Sequence, residues 1–242
     1  CQLRFPSILS IDTREPADFQ ETIRAAFPRY QCQVEQAPGV NGAAAKNVNN
    51  HTFLSEDGGY KLSLTKDFIA LSTMRYSHWE DFAAKRDEPL GQFIKIYRPA
   101  CFDRVGLRYV NAFSREQLGL VGRRWNDLLQ PSYLGVLDED DIDEASVVKC
   151  SVDIERKLDA QAALKLHAGP GFVQRNIRNG NQVQRVQENE VRFILDQDVY
   201  SIGKVKVAAV PETLNALHGH ADQIFSDAIT TVLHDAMEPE YL

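Results

Sequence analysis

Apolar residues recur along this chain with two periods. A period of two, the mark of strands, runs through residues 3–11, where Leu3, Phe5, Leu9 and Ile11 alternate with Arg4 and Ser10. It returns over 30–36, 59–65, 67–76 and 101–113, with a turn at Lys66-Asp67 between 59–65 and 67–76. A period near 3.6 marks three helices. In the first, Pro16 precedes Phe19 and Ile23, one turn apart, and Phe27-Pro28 ends the element. The second runs over 78–98 with Trp79, Phe82, Leu90, Phe93, Ile94 and Tyr97 on its apolar stripe. Ser77 and Glu80 predict a capping box at its start, and Pro89 predicts a kink or a restart.

The third helix, over 211–236, carries Leu214, Leu217, Ala221, Ile224, Phe225, Ala228 and Val232. Between the second and third helices the pattern predicts strands at 145–157, 160–168 and 190–200, with a hairpin tip at Asn179-Gly180. Residues 37–51 are small, polar and aperiodic, which predicts a mobile loop. The expected class is α+β: a largely antiparallel sheet with helices on one face. Residues 1–114 form a ferredoxin-like half of order β-α-β-β-β-α-β, a split βαβ unit with an extra strand in its hairpin. Residues 115–144 form a connector that Trp125, Leu128, Leu129 and Leu134 dock, and 145–242 a second α+β half sharing the sheet and ending in the long helix.

The strand Arg104-Val105-Gly106-Leu107-Arg108-Tyr109-Val110-Asn111 alternates about a glycine. With Leu3-Arg4-Phe5-Pro6, Ser77-His78-Trp79-Glu80-Asp81-Phe82 and Leu195-Asp196-Gln197-Asp198, it resembles the motif set of a sporadically distributed, uncharacterised bacterial family of about 250 residues. The resemblance runs over nearly the whole chain. It implies kinship and fold, and it brings no catalytic residues with it. Patchy distribution of this kind is associated with mobile and defence-related genes.

Composition narrows the function. Charged residues at 25% and hydrophobic residues at 43% suit a globular protein. A formal charge of −7 argues against general affinity for nucleic acid or anionic lipid, and the aromatic strand motif of RNA-recognition domains is missing. No apolar run reaches membrane-spanning length. Cys1, Cys32, Cys101 and Cys150 are far apart, and three sit in apolar strand patterns, which predicts buried, reduced thiols in a cytoplasmic protein. Cys1 falls within a strand pattern, without an initiator methionine before it.

Candidate chemistry gathers on the polar face of the sheet. Alternation places Arg4, Lys61, Arg104, Arg108, Lys149, Asp153, Lys165, Arg192, Asp196 and Asp198 there. Arg104 and Arg108 flank Gly106, leaving an anion-sized gap between two forked donors, or else they answer carboxylates on neighbouring strands. Asp196 and Asp198 lie about 7 Å apart between alpha carbons on one face. Such a pair can hold Mg²⁺ for phosphoryl or nucleotidyl transfer, with Asp153 as a third acid and Gly169-Pro170-Gly171 as the nearest phosphate cradle. The structural alternative is that these aspartates pair with Arg104, Arg108 or Arg192.

His218 and His220 point to nearly opposite sides of a helix and lack a third ligand, and the acidic run 138–144 lacks the glycine and ligand spacing of a calcium loop. Walker, dinucleotide and Gly-x-Ser-x-Gly motifs are absent. The expected function is that of a non-enzymatic binding or regulatory protein, within a bacterial defence or toxin–antitoxin-like system. Its ligand- or partner-binding residues are Arg104, Arg108, Arg192, Lys149 and Lys165. The partner is a protein or a second copy, with a small anionic ligand as a further class; no cofactor is expected. The alternative is a metal-dependent phosphoryl- or nucleotidyl-transfer enzyme using Asp196 and Asp198.

Overall fold

Alternation of apolar and polar residues decides which face of a strand is buried. A computed structural model describes residues 1–37, 46–179 and 182–237. Among these residues the strands are β1 (Gln2–Arg4), β2 (Arg29–Ala37), β3 (Lys46–Leu54), β4 (Tyr60–Leu64), β5 (Phe68–Thr73), β6 (Arg104–Phe113), β7 (Val152–Lys157), β8 (Ala162–Asn179) and β9 (Gln182–Ser201). They pair as one antiparallel sheet in the order β2-β3-β4-β5-β1-β6-β9-β8-β7. The α-helices are α1 (Leu9–Thr13), α2 (Ala17–Ile23), α3 (Trp79–Tyr97), α4 (Trp125–Leu128), α5 (Val210–Ala228) and α6 (Thr231–Ala236). The class is therefore α+β with a large antiparallel sheet, as the periods predicted. Contacts divide the chain into two units, residues 1–107 with 200–218 and residues 108–199 with 219–242, so that β6 and α5 each run from one into the other.

In the first unit, β1 stops early because Pro6 has no amide to continue the ladder. Ile8 donates instead to the Lys66 carbonyl, and Leu9–Thr13 turn into α1 with Ile11 wholly buried. The single strand expected over 3–11 is thus a strand and a helix. The loop expected over 37–51 is also corrected, since Lys46–Leu54 form β3; residues 38–45 lie outside the described residues. Asparagines hid that strand's period, but its neighbours supply the order: Phe53 lies opposite Tyr30 on one side and Leu62 on the other. The meander before α3 therefore has four strands rather than three.

Leu3, Phe53, Leu62, Ile69, Leu71 and Val105 share the buried face of this unit, which α2 and α3 cover through Phe19 and Phe93. α3 runs through Pro89 without a restart. Nor does the capping box form: His78 is the N-cap, without a side-chain cap bond, and the Ser77 hydroxyl donates to Asp81 instead. His51, expected in the loop, is buried, with Nε2 donating to the Ile11 carbonyl at 2.9 Å and Nδ1 accepting from Tyr30 at 3.0 Å.

In the second unit, Phe193, Leu195 and Val199 are wholly buried, and Trp125 packs on Phe193 with ring centroids 5.4 Å apart. The connector docks as expected, with Trp125, Leu128, Leu129 and Leu134 all buried. Its acidic run is only partly solvated. Glu144 accepts from the Trp125 amide and from Arg115, whose guanidinium lies 4.1 Å from the Trp125 ring. β7 is shorter than predicted, beginning at Val152, so Lys149 precedes the strand rather than lying in it. β8 and β9 are longer than predicted, while Gly180 of the expected Asn179-Gly180 tip lies outside the described residues.

The last helix is two. Ile229 pairs with Leu129, and the Thr230 hydroxyl then accepts from the Leu233 amide to start α6. That hydroxyl also donates to the Asp127 carbonyl at 2.7 Å, so the break is held by a partner segment that helical periodicity does not see. None of the four cysteines forms a disulfide; Cys32 is exposed and the other three half-buried, which corrects the expectation of buried thiols. Among the described residues no helix is long and apolar enough to cross a membrane.

Candidate functional site

A tight turn brings the candidate side chains together. Asp159 accepts from the amides of Gln161 and Ala162, and Leu158 donates to the Ala162 carbonyl, which reverses the chain between β7 and β8. The register that follows sets Asp153 opposite His167 and Glu155 opposite Lys165. Opposed residues share a face, so an acidic strand meets a basic one. The Asp153 carboxylate lies 2.8 Å from His167 Nδ1, and Glu155 lies 3.4 Å from Lys165 Nζ. His167 holds the Asp153 carboxyl below the usual carboxylate range, with the Ser151 hydroxyl adding to the effect.

On the same face Arg108 forks onto Asp196, with Nε 2.8 Å from Oδ1 and Nη2 2.5 Å from Oδ2. That bidentate bond is what pushes the guanidinium further up, and Asp198 adds to it through space. Asp196 is mostly covered, whereas Arg108 keeps 62% of its side chain exposed. Arg108, Asp153, Glu155, Lys165, His167, Asp196 and Asp198 line a shallow depression of about 410 Å³. Four carboxylates there face two permanently charged cations and one imidazole. The depression is acidic.

Other predicted site residues lie elsewhere. Arg104 belongs to the first unit, where its guanidinium sits 4.6 Å from the Tyr200 ring. It also folds back over Gly106, where an added Cβ would collide with Nη1. The close approach marked by that glycine is the arginine's own. Arg108 lines the depression, and Arg104 is not among its lining residues.

Arg192 is buried, with Nη2 2.6 Å from Glu188 and Nε 3.5 Å from Glu190, too poorly aligned there for a hydrogen bond. Glu190 in turn accepts from the Ser114 hydroxyl at 2.6 Å and the Glu116 amide at 3.0 Å, anchoring the start of the connector. Lys149 is exposed and stands outside the depression's lining.

Gly169-Pro170-Gly171 lies within β8 and forms no loop. A Cβ on Gly169 would come 2.5 Å from the Cys150 carbonyl oxygen, so the glycine admits a neighbouring backbone rather than a phosphate. Among the described residues no three metal-binding side chains cluster as a metal site requires. His220 pairs with Asp159 and His218 stacks on Trp79, so the two serve separate local contacts. Sequence reasoning missed Glu155 and His167 as site residues. Their signal was there: Asp-x-Glu and Lys-x-His on adjoining strands are complementary once the 158–161 turn fixes the register.

The fold and depression define a class, an antiparallel α+β protein with an open acidic sheet face. No family model, curated protein or solved structure matches the chain.

Proposed function

We propose that the chain is a non-enzymatic binding protein whose working surface is the acidic depression of its second unit, and that its partner is a protein segment bearing cationic side chains. The observation that carries this is the charge balance of the depression, in which carboxylates outnumber fixed cations on an accessible face. Asp153, Glu155 and Asp196 are held in place by His167, Lys165 and Arg108. Positioned carboxylates can accept from an incoming guanidinium or ammonium at small cost in ordering. Arg108 is engaged by Asp196, which weakens the case for a small anion as ligand.

Placement in a bacterial defence or toxin–antitoxin-like system, and kinship with the family that the motifs resemble, belong to the same proposal and rest on the sequence motifs alone. A ferredoxin-like first half draws support from β1, which pairs with both the strand before α3 and the strand after it. The test is calorimetric titration of a short arginine-rich peptide into the protein and into the double variant Glu155→Gln/Asp198→Asn. Loss of two carboxylates should weaken binding about tenfold. Equal affinity for both proteins would sink the proposal.

One observation favours the second reading, a metal-dependent phosphoryl- or nucleotidyl-transfer enzyme: Asp153, Asp196 and Asp198 line the same depression. Against it, Arg108 occupies both oxygens of Asp196, which a cation would have to displace.

A further inference from the structure

β2 ends the sheet, and none of the described residues pairs with its outer edge. Residues 29–36 are all exposed. The strand pairs with β3 in unbroken register from Arg29–Leu54 to Ala37–Lys46, so no bulge turns the edge away. It contains neither proline nor lysine, the residues that commonly blunt such edges. A row of backbone donors and acceptors therefore faces outward, ready to pair with another strand.

The sequence of this edge is complementary to itself. Two antiparallel copies related by a two-fold axis pair residue i with residue j at a constant sum, and their faces match only when that sum is even. Centred on Cys32, Arg29 lies opposite Glu35, Tyr30 opposite Val34, Gln31 opposite Gln33, and Cys32 opposite its own copy. Symmetry doubles each unlike pair. An opposite-charge pair and an aromatic–β-branched pair are combinations that stabilise antiparallel ladders.

Val34 is 65% exposed in the single chain, so this pairing would cover apolar surface. Glu35 accepts from Asn50 with Oε1, which leaves Oε2 for Arg29 of the second copy. Centring on Gln33 instead would set Arg29 against Ala37 and Tyr30 against Gln36, losing both matches.

We propose that two copies of this chain join through β2, in antiparallel register centred on Cys32. The proposal concerns the first unit and stands apart from the acidic depression of the second, so either can fail without the other. Opposed residues in such a ladder have alpha carbons about 4.5–5.5 Å apart, within the span of a disulfide. Diamide should therefore trap the dimer: two Cys32 thiols form one disulfide while the reagent's N=N bond takes up two electrons and two protons.

Light scattering from about 1 to about 100 µM should show mass rising from 27.3 kDa towards twice that value. Cys32→Ser should remove the trapped species and leave the reversible dimer. Glu35→Lys should weaken association about tenfold, and Arg29→Glu/Glu35→Lys should restore it by exchanging the charges. A monomer throughout that range would overturn the proposal. So would a dimer that ignores the charge exchange, or one trapped through Cys1, Cys101 or Cys150.

Discussion

Arg192 and Arg108 look alike in the sequence, since both project from the polar side of a strand, yet they differ in what surrounds them. Arg192 is 8% exposed and holds Glu188 and Glu190, whereas Arg108 leaves most of its length in solvent. Removing a buried partner strands a charge, and removing an exposed one costs little. Arg192→Ala should lower stability by about 3 kcal/mol in urea unfolding at neutral pH. A loss below about 1 kcal/mol would mean that the two glutamates find other partners.

The penalty should also depend on pH. Burial works to raise the Glu190 carboxyl, but the Ser114 hydroxyl, the Glu116 amide and Arg192 together bring it below its ordinary 4.5. A carboxyl lowered on folding contributes stability above its unfolded value, and that contribution fades as pH falls through the lowered one. The gap between Arg192→Ala and the unaltered protein should therefore narrow in acid.

At the scale of elements, the long apolar stripes and regular alternations were legible, and the interruptions were not. Helices α2 and α3 and strands β4 to β6 follow from residues such as Phe19, Phe93 and Leu107, whose spacing alone assigns a buried side. β3 escaped because Asn47, Asn49 and Asn50 carry no apolar period; its register comes from β2 and β4. The α5–α6 break escaped because it depends on Leu129 and Asp127, about a hundred residues away in sequence. Of the candidate site, the Arg108–Asp196 alternative was legible from strand faces. The role of Gly169 was not, since its neighbour is the backbone at Cys150. Gly169→Ala must shift that backbone by several tenths of an ångström, and we expect a cost of about 2 kcal/mol in thermal unfolding. Gly106→Ala displaces only the flexible end of Arg104 and should cost less than about 1 kcal/mol.

For the molecule as a whole, a formal charge of −7 and an acidic depression point the same way, towards partners that carry positive charge. The electrostatic part of such binding should weaken as salt shortens the screening length to about 8 Å at physiological ionic strength. The central claim is that the carboxylates of the second unit serve recognition rather than metal chemistry. Calorimetric titration of Mg²⁺ into the unaltered protein and into Asp196→Asn tests this most directly. The expected result is weak, non-stoichiometric heat that is the same for both, because Arg108 already occupies the Asp196 oxygens. A stoichiometric Mg²⁺ site in the unaltered protein that vanishes in Asp196→Asn would contradict it.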